Sequence, residues 1–210
     1  DITEFIERHV EERVILAGHS FGAVSAILAA PLLKDRLSGY VGFDPVTIPW
    51  LARNFSKLPG GREIMKRRLP IARNAGRRRF VFDDLESAFT RYQNRGAFKG
   101  MSDAALRDYL EGGLKDHQDG VQLACHPLWE QAVFTAQGHN LFKALSSLPE
   151  NTQIIYGGKS AVSMPRTRKA VHRKLRGGEM SYHSEFHHLF PFHDPEFAQR
   201  ALRKALMSVP

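Results

Sequence analysis

Val14-Ile15-Leu16-Ala17-Gly18-His19-Ser20-Phe21-Gly22-Ala23 decides how the rest of the chain is read. Arg13 to Ala17 is a short apolar run ending at glycine, as a buried parallel strand does, and Ala23 to Leu33 is a small-residue helical pattern with an apolar stripe. Between them stands G-x-S-x-G. Glycines two residues either side of a serine let a strand reverse directly into a helix, which forces the serine into a strained conformation. The hydroxyl is thereby held out at the strand's carboxyl end, beside the N–H groups and positive dipole end of the following helix. The plainer reading is a glycine-flanked serine in a strand-to-helix or phosphate-binding loop. No G-x-x-x-x-G-K-[ST] and no second G-x-G accompanies it, so Ser20 is taken as a candidate nucleophile.

Outward from that stretch, composition sets the bounds. With 210 residues, 42% hydrophobic and 25% charged, the chain has the makeup of a globular protein large enough for one core, or for one core carrying an inserted subdomain. The longest apolar run, Ala23 to Leu33, is too short to span a bilayer. Nothing at the amino end resembles a signal peptide, although the sequence opens at Asp1 already inside an amphipathic helix and leaves an upstream export signal open. The single cysteine, Cys125, excludes internal disulfides and fits a reducing, cytoplasmic setting.

The formal charge of +8 gathers in Lys66-Arg67-Arg68, Arg77-Arg78-Arg79 and Arg166 to Arg176. No recognition-helix, RNA-binding or zinc-finger pattern is attached to it. Solvated helix faces and loops account for the charge, and no nucleic-acid partner is expected. A basic module that binds anionic surfaces is the alternative it raises.

Along the chain, Asp1-Ile2-Thr3-Glu4 opens a helix with Ile2, Phe5, Ile6 and Val10 on one face. Tyr40-Val41-Gly42-Phe43 is a second strand, stopped by Asp44-Pro45, which places Asp44 at a strand's carboxyl end, where open α/β sheets carry their chemistry. From Val46 to about Leu148 no strand and helix alternation is visible. Helical patterns over Leu85–Tyr92, Ser102–Leu114, Pro127–Ala136 and Leu141–Leu145, with scattered aromatics, suggest a helical insertion whose aromatics form mostly its own core. Thr152 to Gly158 returns to strand and turn, Met164-Pro165 leads a basic helix, Glu179 to His183 is a last strand, and a final helix runs from Pro195 to Leu206.

A serine hydroxyl needs a base within hydrogen-bond reach, and imidazole has a suitable pKa. Among ten histidines, His188 is favoured because His188-Leu189-Phe190-Pro191-Phe192-His193-Asp194-Pro195 lies in a loop between the last strand and the last helix; His187 and His183 are the alternatives. With the elbow at Gly18 to Gly22 and this closing histidine loop, the chain resembles the carboxyl-terminal two-thirds of an α/β-hydrolase of the capped, esterase-like kind. Arg77 to Phe82 and Gly120 to Pro127 are similar to the same group, less specifically.

That resemblance implies several things. The family's carboxylate commonly follows the strand and glycine turn seen here as Tyr156-Gly157-Gly158-Lys159-Ser160, but Ser160 carries no charge. Some lipases and dehalogenases of the fold place the acid at the position of Asp44, which is therefore preferred here; its plainer role is that of a turn aspartate before proline. His193, where relatives commonly carry glutamate, is given no catalytic role. Dehalogenases and epoxide hydrolases need an aspartate at the elbow, so Ser20 points to acyl chemistry. The N–H of Phe21 is expected to donate one oxyanion hydrogen bond, the other coming from a loop after an earlier strand. Such strands are not in the sequence, which is read as a fragment that leaves the strand at Arg13 to Ala17 on an apolar edge and whose activity in isolation is left open.

The expectation is an α/β fold: a partial, mostly parallel α/β-hydrolase sheet formed by residues 1–45 and 150–210, with a helical cap over 46–149. Ser20, His188 and Asp44 would form the triad and cleave a largely apolar small-molecule ester. No cofactor is expected. His187, His188 and His193 resemble a metal cluster only by count, so no metal is expected either. A non-catalytic ligand-binding protein of the same fold is the other alternative.

Overall fold

The structure, a computed structural model, describes residues 1–136, 138–160, 162–175 and 177–208. Arg176, the end of the third basic run, lies outside them. The chain divides into one compact unit made of Asp1–Pro49 with Asn140–Pro210, and a second made of Trp50–His139.

The first unit opens with α1 (Ile2–His9), β1 (Val14–His19), α2 (Phe21–Leu33) and β2 (Leu37–Phe43). The second unit follows as α3 (Trp50–Phe55), α4 (Gly61–Arg68), α5 (Pro70–Gly76), β3 (Val81–Phe82), α6 (Leu85–Tyr92), α7 (Asp103–Gly113), β4 (Leu114–His117), β5 (Gly120–Leu123) and α8 (Pro127–Thr135). The chain then returns to the first unit with α9 (Leu141–Ala144), β6 (Thr152–Gly157), α10 (Pro165–His172), β7 (Glu179–His183), α11 (Phe190–His193) and α12 (Pro195–Met207).

The sheet of the first unit has the order β1-β2-β6-β7, and every neighbouring pair is parallel. Alternation along the strands sends side chains to two faces. Tyr40, Ile154 and Tyr156 enter one core with Val24, Ile27 and Leu145, while Val41, Phe43 and Ile155 enter another with Phe190, Ala201 and Ala205. Burial on both faces explains why β2, Leu37 to Phe43, is buried at every residue. Helix α2, packed against α1 and α9 as well as the strands, is apolar nearly all round, whereas α12 is amphipathic. Among the described residues β1 pairs only with β2 and so forms an edge of the sheet.

The second unit differs from its sequence reading. The stretch 46–149 is not purely helical, because β3, β5 and β4 form an antiparallel sheet in that order. These strands have two to four residues, too few for a period-two pattern to stand out, and the hairpin between β4 and β5 turns at Gln118-Asp119 before Gly120, whose φ is +124°. Helices α3, α4 and α5 lie outside the helical patterns expected from the sequence. Gly60 caps α4 with φ +74°, and Pro70 occupies the first turn of α5. Ser102 does cap α7, its side chain accepting the N–H of Ala105. The aromatics pack as expected in part. Phe82, Phe89 and Phe98 are buried within the unit, with Phe82, Tyr92, Phe98 and Tyr109 in successive ring contact, whereas Trp50 and Trp129 are exposed.

Candidate active site

Ser20 sits where β1 stops and α2 starts, with φ +54° and ψ −116°, a conformation that costs an L-residue on the order of 1–3 kcal/mol. Two neighbours hold it there: its N–H donates to the Phe43 carbonyl at the end of β2 (2.9 Å), and its own carbonyl accepts the N–H of Val24. Gly18 is required by close approach, since a Cβ there would lie 2.6 Å from the Ala23 nitrogen and the Gly22 carbonyl carbon. Gly22 is different. A Cβ at that position would meet nothing within 4 Å, so the second glycine of the motif is not demanded by packing among the described residues. Phe21, the first residue of α2, leads with an N–H that has no intrahelical carbonyl to bond, while its side chain is half exposed.

His188 lies in the loop between β7 and α11. Its Nε2 is 2.9 Å from Ser20 Oγ, and its Nδ1 is 2.7 Å from Asp44 Oδ2. A carboxylate only accepts, so Nδ1 carries the proton and Nε2 is left to accept from the serine hydroxyl.

Asp44 is fully buried and turns with φ +46° at the end of β2. Its N–H donates to Ile155 O (2.7 Å) and its Oδ1 accepts the N–H of Gly157 (3.3 Å). The buried carboxylate is therefore met by one donor on each oxygen, as a buried charge requires. Nearby Tyr156 is pushed well above the usual phenol pKa, first by burial and then by the Asp44 charge, so its hydroxyl stays neutral.

The structure thus brings together Ser20, His188 and Asp44. It does not bring the alternative histidines there: His183 stacks on Phe186 and meets Ser181 Oγ, and His187 lies against His193. Ser160 stays in the turn after β6, where its hydroxyl accepts the N–H of Val162. No group of His, Cys, Asp and Glu among the described residues is arranged to hold a metal ion, and none of their helices is long and apolar enough to cross a membrane.

One neighbour escaped the sequence reading. His19, inside the motif, directs Nε2 at the backbone carbonyl of His188 (2.8 Å), its ring centroid 4.7 Å from that of His188, with Phe192 meeting it edge-on. Burial, and secondarily the neighbouring His188, holds its pKa below the ordinary histidine value. The only sequence signal was its place beside the serine, which the motif writes as any residue.

No family model matches the chain, and no curated protein matches it in sequence. Solved structures do. An E-2-(acetamidomethylene)succinate hydrolase superposes with a TM-score of 0.74 at 19% identity, over 99% of this chain and 72% of that one. A peroxisomal alpha-beta-hydrolase from Saccharomyces cerevisiae gives 0.72 at 15% identity, over 97% of this chain and 55% of that one. A thermophilic esterase from Thermogutta terrifontis, determined with malate bound, gives 0.58 at 20% identity, over 98% and 69%. At such identities the likeness is one of fold, and this chain has the α/β-hydrolase fold.

Proposed function

On that fold, we propose that the chain is a serine hydrolase that cleaves a carboxylic ester or related acyl bond through an acyl-enzyme. The observation that carries the reading is the unbroken Ser20–His188–Asp44 hydrogen-bond chain, 2.9 and 2.7 Å, built on two strand ends and one loop. The neighbours whose names describe hydrolases and an esterase lend it support.

In this mechanism Ser20 Oγ forms a bond to the acyl carbon as its proton passes to His188 Nε2. The negative charge on the former carbonyl oxygen is met by the Phe21 N–H at the head of α2, where the helix dipole adds to the donor. Collapse expels the alcohol, which leaves with the proton held by His188. Water then attacks the acyl-enzyme, gives a proton to His188, and the acid departs as Oγ recovers that proton. Asp44 never takes it. Buried and bonded to Nδ1, it keeps the imidazole in the accepting tautomer and stabilises the imidazolium that forms twice per cycle.

The residues 46–149 would then serve as the cap of such a hydrolase, and a small, largely apolar substrate is expected where aromatics of that cap face the cleft. The test is turnover of p-nitrophenyl acetate and butyrate by the chain and by Ser20→Ala. A loss of at least about a thousandfold is expected, as when a triad nucleophile is removed. Equal turnover by the variant refutes the nucleophile. Lack of turnover by the unaltered chain, with stoichiometric ester binding, favours the non-catalytic ligand-binding reading instead.

A further inference from the structure

Residues 19 and 20 both grip residue 188, one through its backbone and the other through its ring. His188 belongs to a loop, and a loop carries its side chain only as accurately as its backbone is held. Asp44 Oδ2 and Ser20 Oγ meet the two ring nitrogens, but together they fix only the ring and leave the backbone of residue 188 to be held elsewhere. The second fixed point is the His188 carbonyl, which accepts from the His19 ring at 2.8 Å. His19 is the last residue of β1, in register with Phe43 of β2, so its own backbone is set by the sheet. A carbonyl oxygen can only accept, so His19 carries its proton on Nε2. In the neutral form favoured by its surroundings, it donates without placing a second positive charge beside the imidazole of His188.

We propose that His19 is a positioning residue: its Nε2–H, anchored at the strand end that presents Ser20, holds the His188 carbonyl and so fixes the distance between nucleophile and base. The inference rests on the triad reading of Ser20 and His188. It makes the residue written as x in G-x-S-x-G a working part in this chain, and it separates two contributions of one side chain. The ring face packs against His188 and Phe192, and the ring nitrogen donates.

Two substitutions separate them. His19→Phe keeps an aromatic ring but has no donor, and His19→Gln restores an N–H at a similar reach without the ring. With p-nitrophenyl butyrate, His19→Phe is expected to lower kcat roughly tenfold while KM stays within about twofold, because a misplaced base costs the chemical step rather than binding. His19→Gln is expected to recover kcat to within about threefold of the unaltered chain. Amide hydrogen exchange supplies a readout independent of activity: residues 187–193 should exchange faster in His19→Phe than in the unaltered chain, with His19→Gln close to the latter.

Unchanged kcat and unchanged exchange in His19→Phe overturn the proposal. So does His19→Gln behaving as poorly as His19→Phe, which would assign the effect to ring packing. Ser20→Ala, run alongside, keeps the two readings apart. If it retains activity the triad reading falls and the exchange comparison alone decides the His19 contact; if it loses activity while both His19 variants match the unaltered chain, the triad stands and this inference falls.

Discussion

Replacing Asp44 by asparagine changes one atom of a side chain that is fully buried, and the structure determines which way the new amide faces. Oδ1 of Asp44 accepts the N–H of Gly157, a backbone group that can only donate. In Asp44→Asn that site therefore keeps the amide oxygen, and the NH₂ group turns toward His188 Nδ1, which stands 2.7 Å from the other oxygen. A donor facing Nδ1 drives the imidazole proton to Nε2. The nitrogen facing Ser20 then donates, and it can no longer take the hydroxyl proton.

The expected cost is a fall in kcat of about 10³ to 10⁴, the size seen when a triad carboxylate is made an amide and the wrong tautomer results. That corresponds to about 4–5.5 kcal/mol of transition-state stabilisation. Volume and the Gly157 contact are retained, so the melting temperature should move little. Steady-state kinetics with p-nitrophenyl butyrate measure the first quantity and differential scanning fluorimetry the second. ¹⁵N shifts of His188 report the tautomer directly, with the protonated nitrogen changing from Nδ1 to Nε2. A loss in kcat under about tenfold refutes Asp44 as the orienting acid, and an unchanged tautomer refutes the route by which the loss was derived.

The two motif glycines should part company. Gly18→Ala drives a Cβ into the backbone of Gly22 and Ala23 and should destabilise by about 1–3 kcal/mol, whereas Gly22→Ala meets open space in the first turn of α2 and should be neutral or stabilising by up to about 1 kcal/mol; equal melting temperatures for the two variants would refute the distinction. Stability should also fall on mild acidification. His19, His139 and His193 are each held below the ordinary histidine pKa, primarily by burial, so the unfolded chain binds protons first as pH drops below about 6.5 and unfolding gains. The carboxylates held low, Asp84 by the Ser87 N–H and Glu86 by Arg107, add their loss only nearer about pH 4. A urea midpoint that is the same or higher at about pH 5.5 than at about pH 7.5 contradicts this sign.

What the sequence disclosed was governed by how far each signal reaches along the chain. Ser20 is local, because the glycine turn and the apolar strand before it lie within ten residues. Asp44 and His188 were legible from their positions, one ending a strand at proline and the other in the loop before the last helix, although their meeting across 144 residues of sequence is a tertiary fact. The hairpin of β4 and β5 was hidden because its strands are short and mixed in polarity, Lys115 opposite Gln122 and His117 opposite Gly120. Its turn at Gln118-Asp119, followed directly by Gly120, was the clue available. His19 was hidden differently. Its proposed role depends on a backbone carbonyl, and no side-chain pattern announces where a carbonyl will lie.

The position of the proposed acid follows from the strand order. Because β2 lies between β1 and β6, an aspartate ending β2 sits one strand spacing, about 4.8 Å, from the strand that presents the nucleophile. The resemblance drawn from the sequence located the usual carboxylate in the turn after β6, where Ser160 now stands. That strand still takes part, since the N–H of Gly157 at its end donates to Asp44 Oδ1 while Ile155 O receives the N–H of Asp44. Moving the charge from one strand to its neighbour therefore leaves β6 as the support of the acid instead of its carrier, and the left-handed turn at Asp44 aims the other carboxylate oxygen at His188. A buried carboxylate needs such donors before it can hold its charge. The adjacent strand end supplies one, so under the proposed triad the acid on β2 needs no carboxylate at residue 160.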